Sequence, residues 1–189
     1  MRIVGGRFKG TALAGLRGGD AAAHLRPTSD KTRESLFNLL MHGDYPPIDG
    51  ARVLDLFAGT GALGFEALSR GAGFVRFVDK GAKAAALIRE NAARLRAEDQ
   101  IALTRSDATR LGTNAEAGYD LVFLDPPYRK MLGEAALAAA WQGGWIAERA
   151  AIFWEEAAEV TPPAWARARD ARRYGGTKVY VFEARTTAQ

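Results

Sequence analysis

The chain has 189 residues, of which 48% are hydrophobic and 25% charged, proportions that suit one soluble globular unit with a large core and exclude disorder or a stapled mini-protein. Cysteine is absent and there are two histidines, His24 and His42, which rules out disulfides, thiolate metal sites, cysteine nucleophiles and a histidine-built zinc site. The net charge of +4 is unevenly spread: residues 1–35 hold seven Lys/Arg against three acids, residues 160–189 six against two, and the middle thirteen against seventeen. Two basic ends that converge would make a face suited to phosphate backbones. The opening MRIVGGRFKG has no apolar signal stretch, and no uninterrupted apolar run approaches a membrane span, so a soluble cytoplasmic protein is expected.

Arg2 to Leu13 reads as a hairpin turning at Gly5-Gly6, because a tight two-residue turn needs positive φ. Residues 14–26 read as a loop. A helix starts near Ser29 or Asp30, either a good N-cap, and turns Leu36, Phe37, Leu39 and Leu40 inward. Tyr45-Pro46-Pro47 ends it and divides a 1–45 extension from a main domain over 46–189. Strands follow at Arg52–Phe57, Phe74–Asp79, Ile101–Ser106, Leu121–Leu124 and Ala151–Trp154. Helices are expected between them at about 62–70, 80–96 and 130–141. Short apolar strands alternating with helices indicate a parallel sheet covered on both faces. Residues 164–174 and 177–185 leave no room for a helix, so the sheet ends in an antiparallel hairpin turning at Gly175-Gly176. The class is α/β, with seven strands.

The loop after the first strand, Asp55-Leu-Phe-Ala-Gly59-Thr-Gly61-Ala-Leu-Gly64, satisfies G-x-G-x-x-G between a strand and a helix. Asp79 ends the next strand, where an acid can accept from ribose hydroxyls. A nicotinamide enzyme would share these features, so the glycines alone indicate only a nucleoside-bearing cofactor. Asp55 discriminates further: at that strand end a carboxylate repels a pyrophosphate and attracts an amino-acid ammonium. Its alternative role is to accept from loop amides. Asp107, after the third strand, either accepts from an adenine amino group or caps the following turn.

The fourth strand delivers Leu124-Asp125-Pro126-Pro127-Tyr128. Two prolines hold the segment extended, presenting the Asp125 carboxylate and the Pro126 carbonyl as two rigid acceptors beside an aromatic ring. Two acceptors suit an exocyclic amine with two hydrogens, and a Tyr128 ring can stack on a base removed from its helix. Aiming that amine's lone pair supplies much of the acceleration.

LDLFAGTGALG, VD, SDA and LDPPY resemble the motifs of S-adenosylmethionine-dependent methyltransferases that act on exocyclic amines of nucleic-acid bases. With RIVGGRFKG, LRPTSDKTRESLFNLL, FEALSRGA and YGGTKVYVFE, the chain resembles, over nearly its whole length, the bacterial small-subunit (16S) ribosomal RNA (guanine-N2) methyltransferases of the RsmD type. Thr32 departs from the aliphatic residue expected there. The resemblance implies a Rossmann-like methyltransferase fold: a mostly parallel seven-stranded sheet ending in an antiparallel hairpin, with a small N-terminal hairpin-plus-helix extension. It implies S-adenosyl-L-methionine as methyl donor, S-adenosyl-L-homocysteine as product, and no metal. Asp55, Phe57, Gly59 and Gly61 would face the methionine part, Asp79 the ribose, and Asp107 with Ala108 the adenine. Asp125, Pro126 and Tyr128 would hold the target guanine. Arg26 and Arg33 would line the cofactor site or touch RNA. Arg2, Arg7 and Lys9 would grip phosphates around the target base, with the arginines of the C-terminal hairpin as a weaker second set.

An adenine-N6 methyltransferase is the nearest alternative, because Asp-Pro-Pro-Tyr is shared with such enzymes. Only about 45 residues lie outside the catalytic fold, which leaves few side chains for reading DNA bases; structured RNA, whose shape supplies specificity, fits better. A nicotinamide oxidoreductase leaves Asp-Pro-Pro-Tyr and the basic ends unexplained. A non-catalytic RNA-binding protein has no reason to keep every motif intact. The expected state is a monomer acting on 16S ribosomal RNA within a partly assembled small subunit.

Overall fold

Runs rich in Val, Leu and Phe, each followed by an Ala- and Leu-rich stretch, become parallel strands with crossover helices, because a strand buried on both faces has no polar side to leave in water. The computed structural model describes residues 1–15, 29–127 and 131–185. In chain order the elements are α1 (Asp30–His42), β1 (Arg52–Leu56), α2 (Ala62–Ser69), β2 (Phe74–Val78), α3 (Ala82–Leu95), β3 (Ile101–Thr104), β4 (Tyr119–Leu124), α4 (Leu132–Gln142), β5 (Ile146–Glu156), β6 (Ala166–Tyr174) and β7 (Thr177–Ala184). The strands form one seven-stranded sheet in the order β3-β2-β1-β4-β5-β7-β6. β1 to β5 are parallel, and β7 runs antiparallel between β5 and β6. Successive strands step outward from β1 to β3, and β4 then returns to the other side of β1. That reversal opens a crevice between the C-terminal ends of β1 and β4, where open α/β sheets bind ligands.

Alternation along the strands divides the core in two. Val53, Phe123, Phe153 and Val181 face the layer that includes Leu36 of α1, Phe65 of α2 and Ile88 of α3. Leu54, Val122, Ile152 and Phe182 face Leu137 of α4. Ser29 caps α1 as expected, its hydroxyl accepting from the Thr32 amide at 3.0 Å, and Phe37 packs against Phe123 with ring centroids 5.5 Å apart. Ile3 and Leu13 join the same buried cluster, so residues on both sides of position 45 share one core. Among the described residues no helix is long and apolar enough to cross a membrane.

The C-terminal hairpin turns at Gly175-Gly176, with Tyr174 opposite Thr177. The N-terminal one departs from expectation. Ile3 donates to the Thr11 carbonyl and accepts from the Gly10 amide, so the return is wide, and only Gly6 of the glycine pair has positive φ. The cause is α2. The Val4 amide donates to the Glu66 carboxylate at 2.9 Å, the Arg7 amide to the Ser69 carbonyl at 2.7 Å, and the Phe8 amide to the Ser69 hydroxyl at 2.9 Å. Backbone groups that a tight turn would pair across the ladder are satisfied on the helix instead.

Candidate active site

Leu56 is level with Val78 on one side and Leu124 on the other. Phe57, Asp79 and Asp125 therefore leave the sheet side by side at the crevice. Phe57 has φ +58°, a left-handed conformation that a bulky residue adopts only where its surroundings impose it. Gly61 follows at φ +78°. At Gly64 a Cβ would overlap the Phe77 ring and lie 2.7 Å from Val75 Cγ1, so only glycine lets α2 start this close to β2.

Asp55 is 3% exposed and accepts from the Gly64 amide at 3.0 Å. Burial pushes its carboxyl up to about 8; the Gly64 amide opposes that and the Asp79 charge adds to it. No described cation pairs with it. The loop-amide role is thus present, but one neutral donor leaves most of the desolvation uncompensated. Asp79 holds two turns at once, accepting from the Gly59 amide at 2.9 Å and the Gly81 amide at 2.7 Å. Asp107 caps the short turn that follows β3, accepting from the Thr109 amide at 3.0 Å and hydroxyl at 2.8 Å, with Lys80 Nζ at 3.2 Å. The Thr109 hydroxyl first, then its amide and Lys80, hold the Asp107 carboxyl below the usual range. Ala108 is buried behind it. All three strand-end acids thus lie along one edge, as expected.

Beyond β4, Asp125 is half-buried and Pro126 buried. Tyr128, like Arg26, lies outside the described residues. Among the described residues no group of acids or histidines is arranged to hold a metal ion.

The expected substrate contacts separate. Arg2 is exposed at the base of the hairpin, where Met1 Sδ meets the Thr60 hydroxyl of the glycine loop at 3.9 Å. Arg7 and Lys9 occupy the tip, at the opposite edge. The Arg7 backbone is tied to Ser69 at the end of α2, and its side chain to Gln100, just before β3. α2 starts at the crevice and runs away from it, so the structure does not bring these two residues to the crevice. Arg33 is corrected outright: its side chain is 0% exposed, paired with Asp30 at 2.8 Å and Glu66 at 3.5 Å, and it donates to the Arg2 carbonyl. It is a core cation that joins the hairpin to α1 and α2. The C-terminal arginines are largely neutralised, Arg167 and Arg169 by Glu183, Arg169 also by Asp44, and Arg172 by Asp170.

Sequence reading also missed Asn91. Its amide oxygen accepts from the Ala14 amide at 2.6 Å, while its nitrogen donates to the Thr60 carbonyl at 3.0 Å, stapling the N-terminal segment to the glycine loop. A polar residue within the apolar stripe Ala84–Ile88–Asn91–Leu95 was the available signal.

A family model described as conserved hypothetical protein 95 matches residues 1–183. Over 174 residues the chain is 34% identical to ribosomal RNA small subunit methyltransferase D of Escherichia coli, covering 90% of this chain and 83% of that one. The chain belongs to the RsmD family. Another relative is the candidate rRNA methyltransferase YlbH of Bacillus subtilis, 38% identical over 166 residues, 86% of each chain. The solved structure of the candidate methyltransferase yhhF of Escherichia coli superposes with a TM-score of 0.82 at 33% identity, covering 98% of both chains. The seven-stranded order and terminal hairpin described above are thus the RsmD-family methyltransferase fold.

Proposed function

We propose that this RsmD-family chain transfers a methyl group from S-adenosylmethionine to the exocyclic N2 of a guanine in small-subunit (16S) ribosomal RNA. One observation carries the reading: a buried carboxyl at the end of β1, with no cation partner among the described residues, lies across the crevice from the rigid Asp125-Pro126 acceptors at the end of β4. Asp55 fits the cofactor's ammonium, which would supply a counter-charge that none of the described residues provides. Phe57, Gly59 and Gly61 would line the methionine part, Asp79 would accept from the ribose hydroxyls, and Asp107 with Ala108 would border the adenine. When bound, the cofactor supplies an electrophilic methyl on a sulfonium and departs as the neutral thioether.

The chain's own work is orientation. An arylamine nitrogen is a poor nucleophile because its lone pair is delocalised; accepting both hydrogens at Asp125 and the Pro126 carbonyl localises and aims that pair. As N2 gains the methyl, its surplus proton passes to the Asp125 carboxylate. Tyr128 is assigned to stacking on the flipped base. The names of the relatives point to small-subunit RNA, and a chain with so little surface beyond its catalytic fold is best served by the shape of a partly assembled particle.

The test is a nucleoside digest of small-subunit particles incubated with labelled cofactor and protein. Label should appear in N2-methylguanosine; label in N6-methyladenosine would overturn the assignment. Asp125→Ala should cut turnover by about 10²-fold or more while cofactor affinity by calorimetry stays nearly unchanged.

A further inference from the structure

A second carboxylate stands beside Asp125. Phe123 of β4 and Phe153 of β5 are level with one another and on the same face of the sheet, their ring centroids 5.8 Å apart. Two residues further along each strand come Asp125 and Glu155. Side chains repeat every second residue along a strand, and a residue before proline is held extended. Asp125 and Glu155 therefore emerge as neighbours on that face, on strands about 4.8 Å apart. Glu155 is only 7% exposed. Glu156 turns to the other face and accepts from the Ala157 amide at 2.8 Å.

Resting on the guanine reading above, we infer that Glu155 is the specificity-determining residue that separates guanine from adenine, by accepting the hydrogen on purine N1. Two adjacent carboxylates repel unless donors lie between them. The edge of guanine offers three hydrogens in a row, two on N2 and one on N1, enough for Asp125, the Pro126 carbonyl and Glu155 together. Adenine offers an amine beside a bare N1 lone pair, which would face the Glu155 oxygens. Both carboxylates already have partners within the chain, so a base must replace or join those contacts. A base lacking the N1 hydrogen cannot repay that desolvation.

The test uses RNA whose methylated guanine, located by nuclease mapping and mass spectrometry of the labelled RNA, is replaced by 2-aminopurine, which keeps the 2-amino group and lacks a hydrogen on N1. Wild type should favour guanine by about 10²-fold or more in kcat/KM. In Glu155→Gln the guanine rate should fall, the 2-aminopurine rate should hold, and the preference should shrink to within about tenfold, whereas Glu155→Asp keeps the preference. A structural role would lower both substrates together. Equal rates of wild type on the two bases overturn the inference without any variant, as does an unchanged preference in Glu155→Gln. Failure of the underlying reading looks different: wild type then labels adenine and neither 2-amino base.

Discussion

Two acids lie enclosed around α2, and the fold treats them in opposite ways. Glu66 is 0% exposed and is met by Arg70 at 2.8 Å, Arg33 at 3.5 Å and the Val4 amide at 2.9 Å. Asp55 is 3% exposed and has the Gly64 amide for company. The first is a closed hub that binds the hairpin, α1 and α2 together. The second meets no counter-charge among the described residues and holds its proton up to about pH 8, at the place where the sheet order reverses. Burial alone therefore does not mark a functional acid. Burial without a described counter-charge, at a crevice, is what singles out Asp55 as the candidate.

Removing the hub should have the largest effect. Glu66→Ala leaves Arg33 without its buried carboxylate partner and should cost about 3–5 kcal/mol in urea unfolding, with cofactor affinity of the folded fraction intact. Loss of cofactor binding with unchanged stability would reverse the roles assigned to the two acids.

Asp55→Asn should do the converse. The folded carboxyl, pushed up to about 8, keeps its proton at pH values where the unfolded one, near 3.8, has lost it. Between those limits the native state binds more protons, so wild-type stability should fall as pH rises, with a slope approaching ~1.4 kcal/mol per pH unit in mid-range. Asp55→Asn should lack that slope and should weaken S-adenosylmethionine binding by about 1–3 kcal/mol. In wild type a cationic ligand should draw the proton off, so affinity should rise toward pH 8. Calorimetry in buffers of different ionisation heat reads the released proton directly.

The smallest effect extends the contrast between paired and unpaired charge to the basic ends. Arg2→Ala should lower the salt slope of RNA binding by about one. Arg169→Ala should leave the slope nearly unchanged, because Glu183 and Asp44 already neutralise that guanidinium. Equal losses would mean that the C-terminal hairpin grips RNA after all.

Much of this was legible in the chain by itself. The strand ends at Asp55, Asp79 and Asp107, the glycine loop, the Ser29 cap and the Gly175-Gly176 turn each depend on residues within one turn or one strand of each other, and local sterics and alternation of apolar residues specify them. What only the tertiary structure decided involves partners far apart in sequence. That β4 lies against β1, placing Asp125 beside Phe57, depends on which strands pair, and each strand's own pattern suits several neighbours. The same holds for the hairpin that widens to dock on α2, for Arg33 drawn inside by Glu66, and for Glu155 brought level with Asp125. A cation looks the same in sequence whether it meets solvent or a buried acid; the fold chooses by supplying the acid.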